Sequence, residues 1–266
     1  MDLPGQERVL GWEVIRVPVV LGWSHSNQGL RRATTSTPDV AQLRWGIESL
    51  IQRRVIRLNP NFVVWQSAAY AVVDCVYSAQ ANYSGGVLPM LRVRLARRLP
   101  DDPNLALSAF IADVDGFGPD KFERYARDVL TRQVLARRRK VEICYDVARF
   151  LVQRRCEYKR DFQVLDGQTL DGLILGELPN AIRGIGPTLA RYLLMLLGRE
   201  DHIKPDIMMT RFFAGLSTWI PRYGHQGDAE TMRTVIREVA GGMGTSAARL
   251  DNAIWLHQRA QKRRGA

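Results

Sequence analysis

Most of the chain after residue 40 carries apolar side chains at intervals of three and four residues, the spacing of amphipathic helices. The segments with this spacing are 41–54, 105–114, 120–130, 141–151, 208–216, 229–239 and a last helix capped by Thr245 or Ser246. Residues 62–77 are apolar on nearly every side, which predicts a buried helix. The pattern therefore predicts a mostly α-helical protein.

The first 40 residues lack this helical spacing. Residues 12–23 are rich in β-forming side chains, and Pro18 allows them to form an edge strand at most. Residues 24–38 have the composition of a loop. We therefore divide the chain into an N-terminal arm, residues 1–40, and a helical domain, residues 41–266.

A glycine-rich turn interrupts the helical pattern at Gly184-Ile185-Gly186-Pro187. Glycine adopts backbone angles that are closed to other residues, and proline suits the first turn of a helix. The sequence therefore predicts a helix over 170–178, a tight turn, and a second helix that ends near Gly198. A further break at Lys204-Pro205 precedes Asp206, which stands where the next helix begins.

A helix that begins on such a turn presents unpaired backbone N–H groups, and the helix dipole adds partial positive charge. Both features favour an anion such as a phosphate oxygen. The alternative is an ordinary turn between two helices, because short glycine motifs also occur by chance.

Charge points to a polyanionic partner. The chain has 38 Lys and Arg residues against 27 Asp and Glu residues, a net charge of +11. Nucleic acid is the simplest partner for such a protein, and an anionic membrane surface is the alternative. No apolar run reaches membrane-spanning length, and residues 1–12 lack the pattern of a signal peptide, so we expect no membrane association.

The cysteine and histidine positions indicate no metal site. Cys75, Cys144 and Cys156 are widely separated, and the odd number suits a reducing compartment. The four histidines, at positions 25, 202, 225 and 257, have neither metal-ligand nor catalytic-triad spacing.

The turn, the aspartate and an upstream segment together resemble the helix-hairpin-helix DNA glycosylase superfamily. The hairpin corresponds to residues 183–190, and Gly186 and Asp206 have the same separation as the hairpin glycine and catalytic aspartate of endonuclease-III-like members. Ser78-Ala79-Gln80 resembles a Ser-Ala-Gln helix end of that family. The resemblance covers roughly residues 65–255. It implies a two-lobed all-helical glycosylase fold, with the helix-hairpin-helix at about 170–198 and the catalytic loop at 199–211.

The resemblance implies hydrolysis of the N-glycosidic bond of a base flipped out of duplex DNA. Asp206 is then the catalytic residue, because a carboxylate near the anomeric carbon stabilises an oxocarbenium-like sugar. Its alternative role is that of a helix N-cap, and the two roles are compatible. Bifunctional relatives carry a lysine where this chain has Thr188, and a hydroxyl group forms no imine. The resemblance therefore implies a monofunctional enzyme without lyase activity.

The residues expected to contact DNA come from three parts of the chain. They are Gln80, which would enter the duplex near the extruded base, the basic residues Arg138, Arg139 and Lys140, and the hairpin residues Arg183, Gly184, Gly186 and Thr188. Each has an ordinary alternative, since helix-end glutamines and basic runs commonly face solvent. The loop that wedges into the duplex matches either 116–121 or 135–140, and we favour 135–140, with an insertion over 154–170.

Many endonuclease-III-like relatives bind an iron–sulfur cluster through four cysteines that follow the helical domain. This chain has no cysteine after Cys156, so we expect no cluster and no other cofactor. The expected partner is double-stranded DNA with a damaged base, bound by a monomer in the nucleoid of a bacterium or otherwise in a nucleus. Two alternatives remain: a hairpin DNA-binding protein without catalysis, and a basic helical interaction protein that uses the turn only structurally.

Overall fold

The computed structural model describes residues 38–60, 62 and 64–264, with side chains up to residue 261. The described residues are mostly α-helical, as the hydrophobic pattern predicted. The edge strand expected within residues 12–23 lies outside them. The helices are α1 (Val40–Gln52), α2 (Ala68–Tyr77), α3 (Leu107–Asp115), α4 (Lys121–Asp128), α5 (Lys140–Val152), α6 (Lys159–Gln163), α7 (Gly167–Asp171), α8 (Leu178–Ala181), α9 (Pro187–Leu196), α10 (Ile207–Ala214), α11 (Gln226–Gly242) and α12 (Ala247–Arg264).

Two features depart from plain α-helix in the described part of the chain. Short π-helical turns occupy Tyr83–Val87, Met90–Leu95 and Gly172–Glu177, and the last of these joins α7 to α8. The strands β1 (Val134–Leu135) and β2 (Arg138–Arg139) form an antiparallel pair just before α5.

The buried helix α2 begins later than its apolar composition suggested. Its first residue is Ala68, because the Ser67 hydroxyl accepts a hydrogen bond from the Tyr70 amide and caps the helix. The Asp101 carboxylate accepts hydrogen bonds from both the amide and the hydroxyl of Ser67, which anchors the start of the helix. All ten residues of α2 are buried, as predicted.

The buried apolar residues of the described part of the chain form two clusters. The first surrounds α2 and includes the buried faces of α3, α5 and α9. The second joins α1, α10, α11 and α12. The segment from Gly198 to Asp206 leaves α9 in the first cluster and begins α10 in the second, so it lies where the two clusters meet.

Gly184 and Gly186, in the turn before α9, differ in whether their positions could accept a side chain. Gly184 has φ +109°, and a Cβ atom there would lie 2.7 Å from Cδ1 of Ile143 in α5. Gly186 has φ −98° and ψ 176°, extended angles open to any residue, and a Cβ atom there would meet nothing within 4 Å.

We therefore expect Gly184→Ala to lower the free energy of unfolding by about 2 kcal/mol, through backbone strain and the clash with Ile143. Gly186→Ala is the matched control and should change stability by less than about 1 kcal/mol. Urea unfolding of the two variants checks this. Equal stability of the two would mean that the turn tolerates a side chain at Gly184.

Candidate functional site

The turn before α9 leaves its amide groups exposed. The Ile185 amide donates to the Ile182 carbonyl oxygen at 3.1 Å and closes the turn. Gly186 is the N-cap of α9 and has no side chain to bond the first amides, and the first turn of α9 contains no acidic residue. The positive end of α9 is thus uncapped and uncompensated, which is the property that suits an anion.

Asp206 caps the helix that follows. Its Oδ1 accepts hydrogen bonds from the amides of Met208 at 2.8 Å and Met209 at 3.2 Å, so the N-cap role is confirmed. Both bonds use the same oxygen, and Oδ2 accepts no hydrogen bond from the described residues. The cap therefore fixes the carboxylate in place and leaves one oxygen for another partner.

Asp206 lines a shallow depression of about 200 Å³ that opens to solvent. We call this the Asp206 depression, and its walls are Lys204, Asp206, Met208, Met209, Asp251 and Trp255. Asp251 comes from α12 and is only 6% exposed. Burial raises the pKa of the Asp251 carboxyl well above its usual value, the negative charge of Asp206 raises it further, and Lys204 opposes both.

Lys204 connects this depression to the end of α2. Its Nζ donates to the Ser78 hydroxyl at 3.0 Å and lies 4.0 Å from the centre of the Tyr192 ring. Ser78 and Lys204 are 126 residues apart in the chain. The Ser78-Ala79-Gln80 segment and the Asp206 loop, two separate features of the sequence, are therefore neighbours in the fold.

Asp74 is a buried carboxylate that hydrogen-bonds three aromatic side chains, and one of them, Tyr192, lies against Lys204. Asp74 accepts hydrogen bonds from the Trp65 indole at 2.5 Å, the Tyr83 hydroxyl at 2.7 Å and the Tyr192 hydroxyl at 3.3 Å. Burial raises the pKa of Asp74 despite these three donors. Tyr83 in turn packs edge-on against Trp255 with ring centres 5.8 Å apart, so the network helps to position a wall of the depression.

Gln80 lies where the sequence predicted, beyond the C-terminal end of α2. It is exposed and has φ +51°, a left-handed conformation that is uncommon outside glycine. Its side chain has no hydrogen-bond partner among the described residues. A solvent-facing residue in this strained conformation is a candidate for ligand contact.

Lys140 does not face solvent, so the prediction that it contacts DNA is wrong. It is 1% exposed, and its Nζ donates to the carbonyl oxygens of Tyr77 at 3.0 Å and Ala79 at 2.5 Å and to Oε1 of Gln133 at 2.7 Å. Burial lowers the Lys140 pKa to about 8. Lys140 therefore holds the end of α2, directly before Gln80, against the β1–β2 hairpin.

We expect Lys140→Met to lower the free energy of unfolding by about 3 kcal/mol, since buried acceptors left without donors cost about 1–3 kcal/mol each. Arg139→Met is the matched control in the same basic run, and its loss should stay below about 1 kcal/mol. Urea unfolding near pH 7 measures both. Similar losses would show that Lys140 contributes no more than a surface cation.

The other basic residues of this run are largely neutralised by neighbours. Arg138 bonds Asp146 at 2.5 Å and lies 3.6 Å from Glu142, and Arg139 pairs with Glu123. Arg137 is exposed and forms no ion pair within the part of the chain that the structure describes. Of the predicted cationic contacts, Arg138 and Arg139 are thus only partly available to an anion.

Arg137 occupies the tip of the β1–β2 hairpin. It follows Ala136. Ala136 has φ +51° and Arg137 has φ +63°, the conformation of a tight two-residue hairpin turn. A Cβ atom at Gly184 would lie 3.7 Å from the Ala136 Cβ atom, so the two turns touch.

In the competing wedge segment, residues 116–121, the Lys121 ammonium donates to Asp115 at 2.6 Å and to the Tyr145 hydroxyl at 3.1 Å.

Along the chain, Arg183 precedes Gly186 and Thr188 follows it. Arg183 is exposed, whereas Thr188 is half-buried and lines a second depression of about 250 Å³. The walls of this second depression include Pro187, Thr188, Arg191, Pro205 and His225 but not Asp206. Thr188 and Asp206 therefore face different depressions.

Sequence reasoning missed two carboxylates of the site, Asp74 and Asp251. A signal for Asp74 was present, because it is the one charged residue in the otherwise uncharged helix α2. Asp251 is the one acidic residue of α12, but the helix has many other polar residues, so its sequence did not mark Asp251 as part of a site.

A family described as a domain of unknown function, DUF8548, has a model that matches residues 47–259. The chain belongs to the DUF8548 family. No curated protein matches the chain. The DUF8548 match includes every element of the site, from Asp74 in α2 to Trp255 in α12.

Within the described residues of this DUF8548 protein, no helix is long and apolar enough to cross a membrane. The same residues contain no group of three or more His, Cys, Asp or Glu side chains arranged to hold a metal ion.

Proposed function

We propose that this protein is a monofunctional DNA glycosylase, which flips a damaged or mismatched base out of duplex DNA and hydrolyses its N-glycosidic bond. The observation that carries the proposal is the 3.0 Å bond from Lys204 to Ser78. It joins the Asp206 loop to the Ser78-Ala79-Gln80 segment, the two parts of the sequence that resemble the helix-hairpin-helix glycosylases. A fold that used the glycine turn only structurally would not require these parts to meet.

The proposed surface for the phosphate backbone consists of two neighbouring turns. The uncapped N-terminus of α9, the exposed Arg183 and the exposed Arg137 lie on touching turns. Backbone amides and unpaired cations are the groups that bind phosphate oxygens without reading sequence. The net charge of +11 adds long-range attraction to the duplex.

The Asp206 depression is the proposed site for the extruded base. Trp255 offers an aromatic face, and Gln80 and the tip of the β1–β2 hairpin would fill the space that the base leaves in the duplex. Only about 10 Å³ of the depression is open to a water-sized sphere, far below the roughly 300–1,000 Å³ typical of ligand sites, so a base does not fit the depression as it stands. Entry of a base therefore requires lining side chains, such as the flexible Met208, to move.

Asp206 would supply the charge that the reaction needs. As the bond to the base breaks, the sugar becomes oxocarbenium-like, and a fixed carboxylate stabilises that cation more than the neutral ground state. The N-cap bonds to Met208 and Met209 hold Asp206 in one orientation, with Oδ2 available to the sugar or to the attacking water. The two apolar clusters would correspond to the two lobes of the proposed glycosylase fold, with the site where they meet.

The direct test is base release from duplexes that each carry one altered base. We expect the wild-type protein to release at least one base from a set containing uracil, hypoxanthine, 8-oxoguanine and 7-methylguanine. Chromatography of the free base identifies the product. Salt-dependent duplex binding without release of any base would contradict the enzymatic proposal and support a DNA-binding protein without catalysis.

The product strand should remain intact after base release. By the resemblance, Thr188 stands where bifunctional glycosylases carry the lyase lysine, so the abasic strand should break only when heated with alkali. Borohydride should trap no covalent protein–DNA adduct. Efficient trapping by the wild-type protein would overturn the monofunctional proposal and make Lys204, whose amine lies at the site, the first residue to substitute.

A second candidate is a DNA-binding protein without catalysis. The observation that favours it is the use of Asp206 as a helix N-cap, a structural role that needs no chemistry. Binding to phosphate requires only the turn before α9. Salt-dependent binding to duplex DNA is common to both candidates, and base release separates them.

A further inference from the structure

The Asp206 depression contains two carboxyl groups in different surroundings. Asp206 begins α10, is half-buried and accepts two amide hydrogen bonds. Asp251 lies in α12, is 6% exposed and faces the same space. When two carboxyl groups in one site have such different environments, one can act as a carboxylate and the other as a proton donor.

The groups that surround Asp251 keep it protonated at higher pH than an ordinary aspartate. Burial and the negative charge of Asp206 raise the pKa of Asp251, while the ammonium and the backbone amide of Lys204 oppose them. Tyr192 of α9 is a further titratable group near Asp251: burial, then Asp74 and Tyr83, and to a smaller extent Cys75 and Asp251, raise the pKa of the Tyr192 hydroxyl. Asp74 of α2 lies behind Tyr192, at hydrogen-bond distance from its hydroxyl.

We propose that Asp251 donates the proton that the base carries away, and that the site therefore acts on neutral bases rather than on cationic alkylated bases. This inference rests on the proposed function. A neutral base is a poor leaving group unless it is protonated, whereas a base with a fixed positive charge leaves as a neutral molecule without an acid. A site built for cationic bases would have no use for a buried acid beside its carboxylate.

The reaction balances with water as the sole co-reactant. The bond from C1′ to the base breaks and its electron pair passes to the base, which takes the proton from the Asp251 carboxyl group. Asp206 faces the resulting sugar cation, and the oxygen of a water molecule bonds to C1′. A proton from that water returns to the Asp251 carboxylate, and the products are the free base and an abasic sugar.

Lys204 strengthens the selection against cationic bases. Its ammonium lines the Asp206 depression and is held there by Ser78 and the Tyr192 ring. A second positive charge in the same space would be repelled. With Asp251 neutral, the charges of Lys204 and Asp206 offset each other, which suits a neutral base.

The test compares Asp251→Asn with wild type on neutral and cationic leaving bases. We expect release of uracil, hypoxanthine or 8-oxoguanine to fall by about 100-fold or more, the usual contribution of a general acid. Any release of 7-methylguanine should change by less than about threefold. Binding of a duplex with a cationic pyrrolidine in place of the sugar should stay within about threefold of wild type, because that probe tests stabilisation of the cation by Asp206.

The pH profile supplies a second readout. A raised pKa keeps the acid form of Asp251 present as pH rises past the usual aspartate range, and base release should decline once pH passes that raised pKa. This alkaline decline should vanish in Asp251→Asn. If that variant fails to fold, Lys204→Met keeps the proposal testable: removing the cation raises the pKa of Asp251, so the decline should move to higher pH.

Several results would overturn the inference while leaving the enzyme intact. They are release of neutral bases by Asp251→Asn at the wild-type rate, release of 7-methylguanine alone by wild type, and an alkaline decline that Lys204→Met leaves unmoved. Failure of wild type to release any of the four bases would instead overturn the proposed function, and the inference with it.

Discussion

Asp206→Asn should lower the rate of base release by about 100- to 1,000-fold, which corresponds to about 2.7–4 kcal/mol in the activation free energy. The substitution removes the negative charge that faces the sugar cation but preserves the shape of the side chain. Single-turnover release of the best substrate base measures the effect. Release at a near wild-type rate would assign the catalytic charge to another carboxylate.

The N-cap geometry allows this variant to lose the negative charge while the helix cap is kept. Asparagine caps helices about as well as aspartate, so its amide oxygen can accept the same bonds from Met208 and Met209. The free energy of unfolding should change by less than about 1 kcal/mol. Asp39→Asn is a matched control, because Asp39 caps α1 through a bond to the Gln42 amide and does not line the Asp206 depression. It should retain full activity.

Gly186→Asp should weaken binding to duplex DNA by about 30-fold, or about 2 kcal/mol, because it places a negative charge where the turn would meet a phosphate. The loss should be similar for all sequences, since phosphate contacts carry no sequence information. The structure predicts the opposite effect on stability. Gly186 is the N-cap residue of α9, has extended backbone angles and has no side chain to bond the first amides of the helix. An aspartate there should therefore stabilise α9 by a few tenths of a kcal/mol.

Gly186→Asn is the matched control for charge, because asparagine has the same size and similar capping strength. It should bind DNA more tightly than Gly186→Asp, and the difference should shrink as salt rises. For wild type, neutralising about 5 phosphates predicts that log K falls by about 4 to 5 per decade of salt. Equal binding by the two variants and wild type would remove the turn from the DNA interface.

Lys140 and Arg139 show why a basic run could not be interpreted from sequence alone. The run suggested one cationic surface, yet Lys140 is buried beneath the end of α2 and Arg139 pairs with Glu123. The partners of Lys140 at Tyr77 and Ala79 lie more than 60 residues away in the chain. Composition shows that the residues are charged, but burial depends on chain segments that meet only in the folded protein.

The sequence by itself determined much of the local structure of this protein, but not the late start of α2 or the π-helical turns. Helix positions followed from apolar spacing, and the ends of helices followed from residues such as Asp206, Gly198 with φ +106°, and Ser246, which caps α12 through the Arg249 amide. These features were predictable because they depend on backbone angles and hydrogen bonds within a few neighbouring residues.

The tertiary structure alone decided which polar side chains share a site. Asp74 lies in α2, Lys204 lies in the loop before α10, and Asp251 lies in α12. No spacing in the sequence indicates that these residues come together around the Asp206 depression. Their properties are set by burial and by charges on other helices, as the raised pKa of Asp251 illustrates. Local patterns cannot encode such effects, because desolvation and Coulomb interactions depend on distance in space rather than along the chain.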